Sequence, residues 1–125
     1  MTGVDQTAAR RRYEKAGRRA EWLAAILLII KGYRLQARRF RAHGGEIDII
    51  ARRGNVVIFA EVKSRRDLDD AVNAVSTQSR RRIERAADMF MARRPHLADC
   101  AMRYDIVAIA AGRWRHLRGA WRYGE

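Results

Sequence analysis

The densest hydrophobic pattern of the chain lies between Gly45 and Lys63. Ile47, Ile49 and Ile50 lead into Gly54-Asn55, and Val56-Val57-Ile58-Phe59-Ala60 lead out. β-Branched and aromatic residues on both sides of a Gly-Asn pair predict a β-hairpin. The second strand is apolar on both faces, with Ile58, Ala60 and Val62 on one and Val57 and Phe59 on the other. That pattern predicts a strand covered on both sides. If Gly54 and Asn55 are the two turn residues, Asp48 falls opposite Glu61, and Glu46 opposite Lys63.

The same reading extends outwards. From about Ala8 to Ile30 the pattern predicts one long helix, with residues 1–8 as a frayed start. Its first half is basic, with Arg10, Arg11, Arg12, Lys15, Arg18 and Arg19. Its second half, Trp22 to Ile30, is apolar nearly all round and should pack between a sheet and something else. Gly32 is placed to end it. Tyr33 to Arg41 predicts a strand in which Leu35, Ala37 and Arg39 alternate with Arg34, Gln36 and Arg38. His43-Gly44-Gly45 is a turn, which makes a three-strand meander with the hairpin. Asp67, Asp69 and Asp70 read as a helix N-terminal cap region in a polar loop.

A second helix follows, from about Asp70 or Ser76 to Arg93, with Ile83, Ala86, Ala87, Phe90 and Met91 as its buried stripe. Arg93-Arg94-Pro95 ends it. Met102 to Ala110 is a strand, and Arg113 to Leu117 reads as a last edge strand within a C-terminal strand and tail, 111–125. The expected architecture is α/β in the order αβββαβ, a mixed sheet flanked by helices, in one domain over residues 1–125.

Opposed carboxylates change this picture. Like charges facing each other across a ladder destabilise it, and the cost rises in a covered strand unless something positive joins them. A divalent cation with oxygen ligands would serve, since Mg²⁺ is commonly held by one or two carboxylates, waters and substrate phosphates. Lys63 would then be a cation near a scissile phosphate. The plain alternative is a polar sheet rim in which Glu46 pairs with Lys63 and Asp48 takes an arginine.

Charge adds a partner. The chain carries 27 Lys+Arg against 14 Asp+Glu, a formal charge of +13. Such an excess attracts polyanions, nucleic acid first; a solubility surface is the alternative. Cys100 is alone, so there is no disulfide framework, and His43, His96 and His116 have no metal-ligand spacing. The apolar run Trp22–Ile30 falls far short of the roughly 20 residues that span a bilayer. It also lacks a small-residue cleavage site, so the expectation is a cytoplasmic protein with no membrane partner.

Asp48 followed by Glu61-Val62-Lys63 at the end of a hydrophobic strand resembles the PD-(D/E)XK nuclease motif, with Ile47 in place of the proline. The fuller set resembles the YraN-type family of small bacterial endonuclease-like proteins, similar to archaeal Holliday-junction resolvases. It comprises Ala20-Glu21, Gly32-Tyr33, Gly45-Glu46-Ile47-Asp48, Phe59-Ala60-Glu61-Val62-Lys63-Ser64-Arg65 and Arg103-Tyr104-Asp105-Ile106-Val107.

The resemblance implies a restriction-endonuclease-like fold and a Mg²⁺- or Mn²⁺-dependent endonuclease acting on DNA, with branched or structured DNA as one candidate substrate. It implies Asp48, Glu61 and the Val62 carbonyl as metal ligands, Lys63 as the group acting on water or developing charge, and Glu21 on the first helix near the metal. A salt bridge from Glu21 to Arg18 or to a sheet arginine is the equal alternative. Gln78 is the candidate polar residue of the second helix; the family's lysine near this point is replaced by Ser79. Phosphate contacts are expected from Arg11, Arg12, Arg18, Arg65, Arg80, Arg81 and Arg82. For Asp105, a structural pairing with Arg103 or the first helix stands beside catalysis. The C-terminal Trp114, Trp121 and Tyr123 suit base stacking or packing on their own domain. Resolvase-like enzymes are commonly dimeric, so the resemblance admits a homodimer. The alternative of another class is a non-catalytic DNA- or RNA-binding module on the same fold.

Overall fold

The computed structural model describes the backbone from residue 3 to residue 125, and the side chains of Ala8 and of residues 17–125. Arg11 and Arg12 therefore lie outside the described side chains. A five-stranded mixed sheet in the order β1-β2-β3-β4-β5 forms the middle layer. Its strands are β1 (Arg34–Ala42), β2 (Gly45–Arg53), β3 (Val56–Ser64), β4 (Ala101–Ala110) and β5 (Arg113–Trp121). The helices are α1 (Gly3–Ile30), α2 (Leu68–Val72) and α3 (Thr77–Ala92). β3 and β4 pair in parallel and the other neighbours antiparallel. α2 and α3 lie in the crossover between the parallel pair.

The hairpin forms in the expected register. Ile49 faces Ala60, and the ladder runs down to Arg53 and Val56 on either side of Gly54-Asn55. Gly54 takes the left-handed backbone (φ +60°) that such a turn requires. β3 is covered on both faces. Ile58, Ala60 and Val62 pack with Ala20, Ala24, Ala25 and Leu28 of α1. Val57 and Phe59 pack with Ile83, Ala86, Ala87 and Phe90 of α3. Phe90 meets Phe40 and Phe59 edge-on at 5.3 and 6.0 Å, and Tyr104 stacks on Trp121 at 5.3 Å. Each large apolar side chain buried here contributes about 1.5–3 kcal/mol.

Several expectations change. α1 is continuous from Gly3, because no proline or glycine interrupts residues 4–16. Its sheet-facing side is buried, but Trp22, Leu23, Ile26, Ile29 and Ile30 stay exposed on the other. Of the two starts expected for the second helix, Ser76 is the one found, and a separate short helix, α2, precedes it. Asp67 caps α2 through the Asp69 N–H, and Ser76 caps α3 through the Ser79 N–H. Each cap satisfies an end that one continuous helix would not have. β5 runs four residues past Leu117, because Trp121 is buried against Tyr104. Glu84, on α3, is 3 % exposed and accepts from Trp121 Nε1 (3.0 Å), Arg81 (3.0 Å) and the Gly124 N–H (3.3 Å). It ties the C-terminal segment to the helix.

Strict alternation also fails at one place. Ile47 and Ile50 both pack in the α3 layer, while Ile49 packs in the α1 layer. On an unbroken strand Ile47 and Ile49 would share a face, so the pleat slips at Asp48. On the neighbouring strand Arg39 has φ +52°, left-handed for a non-glycine residue, between Arg38 (opposite Ile49) and Phe40 (opposite Ile47). A second irregularity lies between Leu35 and Ala37. Backbone strain of this kind costs about 1–3 kcal/mol and clusters at functional sites.

Candidate active site

The slip at Asp48 builds the site. The β2–β3 ladder is not continued past Ile49 and Ala60; Asp48 Oδ2 instead accepts the Val62 N–H at 2.8 Å. This brings the Asp48 carboxyl beside that of Glu61, close enough to raise its pKa. Burial, then the neighbouring Asp48 carboxyl, push the Glu61 carboxyl up to about 9; Lys63 works against the rise and Glu46 adds to it. Burial beside a second carboxyl thus favours the protonated form of Glu61.

A cavity of about 650 Å³ opens over these groups. α1 contributes Gly17, Ala20 and Glu21; β2 and β3 contribute Asp48, Glu61, Val62, Lys63 and Ser64; Arg65, Arg66 and Ala111 complete the rim. The small residues Gly17 and Ala20 leave the carboxyls reachable beneath α1. The structure thus brings together Asp48, Glu61, Val62, Lys63, Glu21 and Arg65. Val62 reaches Asp48 through its N–H.

For Glu21 the expected pairing with a sheet arginine is found, at the edge of the cavity. It lines the cavity, and its Oε1 accepts from Arg39 Nε at 2.8 Å, with Arg38 at 3.9 Å. The left-handed backbone at Arg39 belongs to the residue that makes this contact. Glu46 does not pair with Lys63. Past the slip it turns to Arg41 at 3.3 Å and lines a smaller cavity of about 200 Å³ with Gly45, Glu61, Ser79 and Arg82.

Gln78 is exposed on the first turn of α3 and lines neither cavity; its neighbour Ser79 does. Arg82 is exposed at the smaller cavity and Arg18 is exposed on α1. Arg81 is spent on Glu84 and on the Gly124 carbonyl (2.7 Å), and Arg80 lies over the Trp121 ring at 5.3 Å.

Asp105 takes the structural alternative. It is fully buried and accepts from Arg103 (2.8 and 2.9 Å), His116 Nε2 (2.7 Å) and the Gly119 N–H (2.9 Å). Burial would raise its pKa, but these hydrogen bonds outweigh it and hold the carboxyl below its ordinary range. Arg103 reaches Tyr33 Oη at 2.7 Å, and His116 Nδ1 pairs with Lys31, so the network fastens the end of α1 to the sheet. Sequence reasoning passed over His116 and Glu84. An aspartate between Tyr104 and Ile106 on an apolar strand signalled that a partner was needed; nothing local named it.

A mixed sheet with α1 on one face, α3 on the other and an Asp…Glu-X-Lys set at the β2–β3 junction is a restriction-endonuclease-like α/β core. The model of uncharacterised protein family UPF0102 matches residues 20–109. The chain belongs to this family, the YraN type. It is 48 % identical to a UPF0102 protein of Mesorhizobium japonicum over 120 residues, covering 95 % of each chain. It is 46 % identical to one of Maricaulis maris over 120 residues (95 % and 94 %), and 43 % identical to one of Paramagnetospirillum magneticum over 127 residues (98 % of each). Among the described residues no helix is long and apolar enough to cross a membrane.

Proposed function

We propose that the protein is a metal-dependent nuclease that hydrolyses phosphodiester bonds in DNA. The observation that carries this reading is the adjacency of the Asp48 and Glu61 carboxyls at the floor of a cavity rimmed by Lys63, Arg65 and Arg66. The donor set suits Mg²⁺ or Mn²⁺. Two oxygen-bearing acids are adjacent, and among the described residues there is no cluster of three or more ligating side chains. This leaves positions for water and substrate phosphate. A bound divalent ion would lower the pKa of an attacking water and stabilise charge on the phosphoryl oxygens.

The remaining chemistry belongs to the chain. Glu61 would give up its proton, and Asp48 and Glu61 would present paired oxygens. The Val62 N–H fixes the Asp48 carboxylate in place. Lys63, two residues beyond Glu61 on the same strand, orients water or stabilises developing negative charge at the scissile phosphate. Arg65 and Arg66 hold flanking phosphates, and the wider excess of arginine binds backbone without reading sequence. The family resemblance makes branched or structured DNA the first substrate to try and admits a homodimer.

A second reading has one observation in its favour. Glu21, the third carboxyl on the cavity, is already committed to Arg39 and Arg38, as in a non-catalytic nucleic-acid-binding module. One experiment separates the two. Linear, nicked, flapped and four-way DNA is incubated with the wild type and Asp48→Asn in Mg²⁺, Mn²⁺ or EDTA. Metal-dependent cleavage lost in Asp48→Asn supports the nuclease. DNA binding by the wild type without cleavage of any substrate supports the binding module.

A further inference from the structure

About four residues along β2 from Asp48, roughly 13 Å at strand rise, the sheet carries an uncompensated group of cations. Arg34 and Arg52 are directly opposed across the β1–β2 ladder, and Arg53 follows. Like charges directly opposite destabilise a sheet. Among the described residues none of the three is ion-paired. Arg52 Nε donates to the Gly54 carbonyl (2.8 Å), and Arg53 donates to the Lys31 carbonyl (3.1 Å) and lies over Tyr33. These contacts orient the guanidinium groups without neutralising them.

The three arginines line a cavity of about 410 Å³ with Gln36, Gly32 and Gly54. Both glycines have positive φ and no side chain to fill the space. The Lys31 pKa is depressed by burial and then by Arg118 and Arg53, which agrees with an excess of local positive charge. The buried acid nearby, Asp105, is committed to Arg103 and His116.

We propose that this cavity is a phosphate-binding site, separate from the carboxyl pair, in which the directly opposed Arg34 and Arg52 take one phosphoryl group, while Arg53, the next residue along β2, stays on Tyr33 and adds positive charge at the rim. Guanidinium forks match phosphate oxygens bidentately, and a bound dianion would relieve the Arg34–Arg52 repulsion. The phosphoryl group comes either from a nucleic-acid backbone or from free phosphate. The site needs neither metal nor cleavage, so it is tested independently of the nuclease reading.

The test uses the full chain in EDTA as wild type, Arg34→Gln, Arg52→Gln and, as a control remote from the cavity, Arg93→Gln. In one arm, thermal unfolding is compared in inorganic phosphate and in chloride at matched ionic strength. In the other, affinity for a six-nucleotide and a twenty-nucleotide DNA is followed against salt. A phosphate-specific rise in melting temperature, at least halved in both cavity variants and kept in Arg93→Gln, supports the site with free phosphate as ligand. A salt slope for the longer DNA that drops by about one in the cavity variants, and less in Arg93→Gln, supports it with backbone phosphate as ligand. Cavity variants that match Arg93→Gln in both arms overturn it. At low salt without phosphate, Arg34→Gln should melt no lower than the wild type; a clear loss of stability would make the pair a structural element and also overturn the proposal.

Discussion

Substituting Glu61 should make the protein more stable at neutral and alkaline pH in the absence of metal. The folded-state pKa of Glu61 is about 9, well above the ordinary carboxyl value, because of burial and Asp48. The folded chain therefore keeps a proton that the unfolded chain releases. Stability from such a group is complete below the ordinary carboxyl pKa and is lost as pH rises through the folded value. Each pH unit in that window corresponds to about 1.4 kcal/mol. Between about pH 5 and pH 7 the wild type should therefore lose up to about 3 kcal/mol. Glu61→Gln keeps the shape and removes the titration. Urea unfolding of both proteins from about pH 5 to pH 9 in EDTA reads the effect as a difference, so titrations common to both cancel. The gap should widen with pH in favour of Glu61→Gln, and millimolar Mg²⁺ should narrow it by stabilising only the wild type. Parallel pH profiles for the two proteins would refute the buried carboxyl pair as described.

Three further outcomes are expected. Lys63→Met should cut the cleavage rate about 100-fold or more in single-turnover assays while changing DNA affinity only modestly, since many arginines share the backbone; equal losses would make Lys63 a plain phosphate contact. A Cβ at Gly45 would lie 2.3 Å from the Arg82 carbonyl oxygen, so Gly45→Ala should destabilise by about 1–3 kcal/mol in denaturant titration. Asp105 has a lowered pKa, so its contribution is present above the ordinary carboxyl pKa and is lost as pH falls through the folded value; Asp105→Asn should be destabilised at neutral pH and should lose less additional stability than the wild type on acidification, read by urea midpoints.

How much of this was legible in the sequence depended on the range of each interaction. The Gly54-Asn55 turn and the two-faced apolar strand after it are local, and they gave the hairpin register down to Ile49 and Ala60. Asp48, Glu61 and Lys63 came together because that register carries them to one end of the hairpin. The slip at Asp48 was not legible. It accompanies a left-handed backbone at Arg39 that no glycine announces, and Arg39 is met by Glu21 from a helix distant in sequence. Strict alternation therefore sent Glu46 to Lys63, whereas it meets Arg41. Glu84 looked like one more charge on an arginine-rich helix. Its partner Trp121 lies on another element, and only tertiary packing could show that this carboxylate is buried. Arg81 looked free for phosphate for the same reason.

The slip at Asp48 also bears on how the protein can change in evolution. On either side of it the strand serves the same two layers with opposite parity: Ile47 and Ile50 face one helix and Ile49 the other. Inserting or deleting one residue here would exchange the layers served by these isoleucines and would lose the fold together with the site. A point substitution of Asp48 or Glu61 would have the reverse effect, keeping the core and relieving the crowded carboxyls. Length change around Asp48 is therefore closed to the lineage by folding, while replacement of the carboxylates is opposed only by selection for what they do. A relative that keeps the strand length and carries amides at these two positions would be a folded, stabilised chain released from that selection.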